Sequence, residues 1–84
     1  MNNLYKLPLI LEPQPEGEFT ITCPILPELI TEADTFDEVI PNVSDALEAI
    51  IEAYDDLNQP LPSVLQPMTT TAPIWTETLI PIPS

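Results

Sequence analysis

Residues 35–58 read TFDEVIPNVSDALEAIIEAYDDLN, and this stretch decides the fold. Thr35-Phe36-Asp37-Glu38 matches the S/T-x-x-E capping box, in which hydroxyl and carboxylate each satisfy a free amide at a helix start. Asp34 and Asp37 add negative charge at the positive end of the helix dipole. From there Phe36, Val39, Ile40, Val43, Ala46, Leu47, Ile50, Ile51, Tyr54 and Leu57 recur at steps of three and four, forming one apolar stripe. The spacing predicts an amphipathic helix over 35–58. Pro41 lies inside it. A proline removes a backbone hydrogen bond and crowds the preceding turn, so a kink or a distorted first turn is expected there.

Upstream, Glu18-Phe19-Thr20-Ile21-Thr22-Cys23 alternates without a break. Phe19, Ile21 and Cys23 face one way, and Glu18, Thr20 and Thr22 face the other, as in a strand with one wet face. Gly17, the only glycine of the chain, follows Pro13-Gln14-Pro15-Glu16. Glycine serves where φ must be positive, so this segment is expected to close a hairpin with a β-favouring stretch over residues 4–12. Pro24 and Pro27 end the second strand, and residues 29–33 read as a third. The expected fold class is α+β: a three-stranded antiparallel sheet with one amphipathic helix packed on it.

Past Asn58-Gln59 the composition changes. Six of the 25 residues from 60 to 84 are proline, and threonine fills positions 69–71. Residues 75–80 nevertheless have β propensity and are expected to form an extra C-terminal strand. It would pair with a sheet edge of its own chain or of a neighbouring subunit, with Trp75 and Leu79 as the oligomer contact. The chain thus divides into a domain over 1–62 and a proline-rich linker and strand over 63–84, with no DNA-binding domain. So small a core makes a homo-oligomer the expected state.

The 84 residues include fourteen acidic side chains and one basic one, Lys6, for a net charge of −13. Direct nucleic-acid binding is disfavoured, because it needs Lys and Arg to neutralise phosphates. Anionic membrane surfaces are disfavoured for the same reason, and no stretch nears the roughly 20 apolar residues of a membrane span. The five-residue apolar run after Lys6 is too short for a signal-peptide core, so the expected location is the cytoplasm. Histidine and arginine are absent, which leaves a Ser or Thr nucleophile without a base. No catalytic residue and no cofactor are expected. Cys23, the single cysteine, reads as a core thiol, and it can form neither an intrachain disulfide nor a Cys/His zinc site. Asp55-Asp56 and Glu16-x-Glu18 do not fit the spacing of a cation loop, so no metal site is expected.

The charge is also patterned. Asp45, Glu48, Glu52, Asp55 and Asp56 line the polar side of the predicted helix. Like charges at such spacings cost a few tenths of a kcal/mol each, and Asp55 and Asp56 oppose the dipole at the helix end. A basic protein partner is the natural complement. The candidate partner-binding carboxylates are Glu18, Glu28, Glu32, Asp34, Glu48, Glu52, Asp55 and Asp56.

Read in order, Glu16-Gly17-Glu18-Phe19-Thr20-Ile21-Thr22-Cys23-Pro24-Ile25-Leu26-Pro27, then Thr31-Glu32-Ala33-Asp34-Thr35-Phe36-Asp37-Glu38-Val39, resembles the HicB-like antitoxin family. Members carry a V-P-D-L-P-G stretch and a T-x-G-D-T-x-E-E-A helix entry. Pro60-Leu61-Pro62 is similar to the family's G-x-P-I-P ending. Ile25, Glu28 and Ala33 depart from the family's Asp, Gly and Gly. The resemblance implies a truncated RNase H-like fold without catalytic carboxylates. It also implies a partner: a small basic mRNA-cleaving RNase toxin, neutralised by covering its catalytic surface. Many members add a DNA-binding domain, which residues 63–84 do not match. The alternative reading is an orphan oligomeric interaction domain of the same fold with no toxin, and a residual nuclease is the third.

Overall fold

The alternating segment becomes the centre of a sheet. In the computed structural model, which describes residues 3–65, 67, 68 and 71–83, three strands run β1 (Ile10–Pro13), β2 (Phe19–Thr22) and β3 (Ile30–Ala33). They lie in that order, antiparallel throughout. Ile21 pairs with Leu11 on one side and Thr31 on the other, so the inward faces of all three strands coincide. The expected first strand over 4–12 forms its ladder only from Ile10 onward. Pro8 has no N–H to offer a ladder, although Tyr5, Leu7, Leu9 and Leu11 still pack alternately against the core.

The hairpin closes as its glycine demands. Gly17 N–H donates to the Gln14 carbonyl at 2.9 Å and Gln14 N–H to the Glu18 carbonyl at 2.8 Å, with Gly17 at φ +98°. Pro15 supplies the fixed φ suited to the second position of such a turn. Gly17→Ala is expected to cost about 1–2 kcal/mol, measured as a lower urea midpoint. An added Cβ meets nothing within 4 Å, so that cost is backbone conformation alone.

The helical stretch divides in two. A 3-10 turn covers Phe36–Glu38, and α1 spans Val39–Asp56. Pro41 is the reason: its ring would clash with the carbonyl of residue 37 in a continuous α-helix. As the third residue of α1 it occupies a first turn whose N–H groups have no intrahelical acceptor to lose. The distortion therefore precedes the α-helix, and neither bond of the expected capping box is made, the Glu38 carboxylate reaching one residue beyond Thr35. Thr35 makes no side-chain cap bond, while Glu38 Oε1 accepts from Asp34 N–H at 2.8 Å. At the far end Gln59 N–H reaches the Tyr54 carbonyl and Asn58 N–H the Asp55 carbonyl. Asn58 stands at φ +53°, completing the left-handed termination that asparagine tolerates.

Val39, Val43 and Leu47 of α1 meet Ile21, Cys23, Leu26, Leu29 and Ala33 in one buried core. Cys23 is buried as the alternation requires, and Phe19 stacks on Phe36 with ring centroids 4.8 Å apart. A turn joining the Pro62 carbonyl to Leu65 N–H at 2.8 Å lets Leu65, 1% exposed, close the core. The expected strand at 75–80 does not form within the chain. Residues 71–83 are exposed throughout and contain no strand. Among the described residues the C-terminal stretch makes one antiparallel bridge, Leu4 to Met68, and Pro73 beyond it has no N–H to offer a ladder. Of the threonine run, residues 69 and 70 lie outside the described residues.

Candidate partner interface

The pairing register decides which carboxylates stand together. Side chains directly opposite one another share a sheet face, so the row Glu12–Thr20–Glu32 and the row Ile10–Thr22–Ile30 both point away from α1. Neighbouring strands lie about 4.8 Å apart, which puts the two glutamates roughly 10 Å apart across Thr20. That distance is comparable to the Debye length of about 10 Å at 0.1 M salt, so the array costs the fold little while offering two anionic contacts. Gln14 Nε2 donates to Thr20 Oγ1 at 3.1 Å and steadies the middle of the row. Ile10 and Ile30 are 48% and 65% exposed on the same face. No strand or helix of the described residues covers it.

The carboxylates predicted from sequence separate into three groups. Glu18 continues the outward column of β2, and Asp34 lies one step past β3 across from it, so both join Glu32 at the hairpin end of the sheet. Glu48, Glu52, Asp55 and Asp56 are exposed on α1, which packs on the opposite sheet face, so they form a second acidic surface on the other layer. Glu28 stands apart at the C-terminal end of α1. Glu12 escaped the sequence reading. The signal was available in the inward alternation of Leu9 and Leu11, which turns Ile10 and Glu12 outward. Trp75 and Leu79 lie on the exposed C-terminal segment.

Helix and sheet edge are tied by polar contacts at both ends of β3. Asn42 Nδ2 donates to the Glu32 carbonyl at 2.7 Å. At the other end the Tyr54 hydroxyl donates to Glu28 Oε2. This hydrogen bond, assisted by Glu28's own backbone N–H, holds the Glu28 carboxyl below its usual value. The same bond, with smaller contributions from desolvation and the carboxylate charge, pushes the Tyr54 hydroxyl up. A lowered carboxyl contributes stability above its unfolded pKa and loses it as pH falls through the folded value. A raised hydroxyl loses its contribution as pH rises through its folded value. The contact therefore favours the fold between the carboxylate and tyrosine ranges. Tyr54→Phe is expected to move the Glu28 carboxyl upward in an NMR pH titration, and the stability gap to the parent protein should close in acid.

Among the described residues no group of three or more His, Cys, Asp or Glu side chains could hold a metal ion, and no helix is long and apolar enough to cross a membrane. The arrangement offers an acidic sheet face with an apolar half.

Two known proteins are similar to this chain. A protein of Synechocystis sp., described as UPF0150 protein ssr1765, is 34% identical over 59 residues, covering 70% of this chain and 75% of the relative. Antitoxin HicB 1 of Photorhabdus laumondii subsp. laumondii is 35% identical over 57 residues, or 68% of this chain. That match spans 37% of the Photorhabdus protein's length. No family profile matches the chain, and no solved structure matches it.

Proposed function

Because the chain belongs to the HicB-like antitoxin family, we propose that it is a non-catalytic antitoxin that binds and neutralises a small basic mRNA-cleaving RNase. The observation that carries this reading is the uncovered sheet face with Glu12, Glu18 and Glu32 beside Ile10 and Ile30. An RNase must present cations to the phosphates of its substrate. A carboxylate row can occupy those cations, while the two isoleucines exclude water from the centre of the contact. The overall charge of −13 raises the rate of encounter with such a partner and makes it salt-dependent.

On this reading the sheet and helix form a truncated RNase H-like layer working in the cytoplasm. Residues 1–62 make the binding domain, 63–84 an extension, and neither nucleic acid nor membrane is a direct partner. Calorimetric titration with the product of the neighbouring gene tests it. Stoichiometric binding that weakens with salt, together with loss of RNA cleavage by the partner, is the expected result. Self-association with no effect on any RNase would instead support an orphan interaction domain.

A further inference from the structure

The C-terminal segment poses the opposite problem to the acidic face. Trp75 and Leu79 are 86% and 63% exposed, and Ile80 and Ile82 are exposed beside them. Yet the segment lies along a feature suited to receive it. An open groove of about 1540 Å³ runs between the N-terminal extended segment and α1. Leu7, Leu9, Val43, Leu47 and Ile51 line it, and so do residues 75–79 themselves. The chain's own tail thus borders the groove without burying its side chains.

The connection explains why. Met68 N–H donates to the Leu4 carbonyl at 2.7 Å, which starts an antiparallel pairing at the N-terminal end of the groove. Continued in that direction, the pairing runs away from residues 7–11. The chain instead bends at residues 71–72 and returns with no ladder. A tail arriving from a neighbouring molecule does not share that starting point. β1 is an edge strand, and its outer side carries no partner strand among the described residues.

We propose that residues 72–83 of one copy fill this groove on a second copy, and reciprocally, with Trp75 and Leu79 on the apolar floor and residues 75–80 adding a strand to the β1 edge. Exchange of a terminal element between identical chains is an accessible route to a dimer, and strand addition to an open edge is a common recognition mode. On that strand Trp75 and Leu79 share the face turned to the groove and bring about 200 Å² and about 100 Å², while Ile80 and Ile82 face the other way. Two such pairs and the groove surface they cover come to roughly 1,200 Å², the lower end of a standard stable interface. Two copies at −13 repel one another, so salt strengthens this association, whereas it weakens binding to a basic partner.

Sedimentation equilibrium of the full chain, from about 1 to 100 µM in low salt and in about 0.5 M salt, reads the state directly, since screening lengths fall from about 10 Å to a few Å over that range. The expected result is a monomer–dimer equilibrium shifted toward dimer by salt. Trp75, the only tryptophan, should show blue-shifted emission as the dimer forms. Trp75→Ser/Leu79→Ser alters only exposed side chains and should keep the parent circular dichroism while weakening the dimer roughly 100-fold. A parent protein that stays monomeric at the highest concentration in high salt overturns the proposal. So does a dimer that the double variant leaves unchanged, or a tryptophan emission already blue-shifted in the monomer.

Discussion

Leu26→Ala is expected to destabilise the protein by about 2–5 kcal/mol, a large share of the roughly 4–12 kcal/mol ordinary for a chain of this length. Leu26 is fully buried in the connection between β2 and β3. Its N–H donates to the Cys23 carbonyl and its carbonyl accepts from Leu29 N–H, so the side chain cannot swing outward without breaking both turns. Nine buried residues among those described form one small cluster, so a cavity at Leu26 opens in the centre of the core. Urea unfolding should show a lower midpoint at an unchanged slope. Val64→Ala, at an exposed position, should stay within about 0.5 kcal/mol of the parent protein.

The second large effect concerns binding. Glu12→Lys/Glu32→Lys is expected to weaken the complex with the basic partner by about 100-fold or more, close to 2.7 kcal/mol. Two cations would then meet the partner's own across a desolvated contact. Stability should hold, since both side chains are exposed and the two lysines would stand among the remaining carboxylates of a chain at −13. Glu52→Lys/Asp55→Lys is the matched comparison. Each double variant changes the net charge from −13 by four units, to −9. The helix pair lies on the opposite layer, so it should lose only a few-fold, through weaker long-range steering. Surface plasmon resonance separates the two, with a raised dissociation rate confined to the sheet variant.

Much of this architecture was legible because side-chain periodicity reports burial directly. The alternation of Phe19 to Cys23 and the stripe of Val39, Val43 and Leu47 both placed the core correctly. The boundaries were less legible, because they depend on clashes that periodicity does not encode. Pro41 moved the helix start to Val39 and left a 3-10 turn before it, and Thr35 gave up its cap. Leu65 entered the core through a turn inside a proline-rich stretch where no period exists to read. The strand at 75–80 does not form within the chain for a different reason: β propensity becomes a strand only when an edge is within reach in the right direction. The site was half legible. Helical spacing exposed the acidic face of α1, but the row of Glu12 and Glu32 depends on register between strands, which a single sequence specifies only after pairing is known.

On the proposed function the uncovered sheet face, not the helix, receives the basic partner. Hydrogen-exchange protection of the full-length protein, compared with and without that partner at saturating concentration, tests it most directly. New protection across residues 10–13, 19–22 and 30–33, with residues 45–56 unchanged, is the predicted result. Protection confined to the exposed side of α1, or none on the sheet, contradicts it.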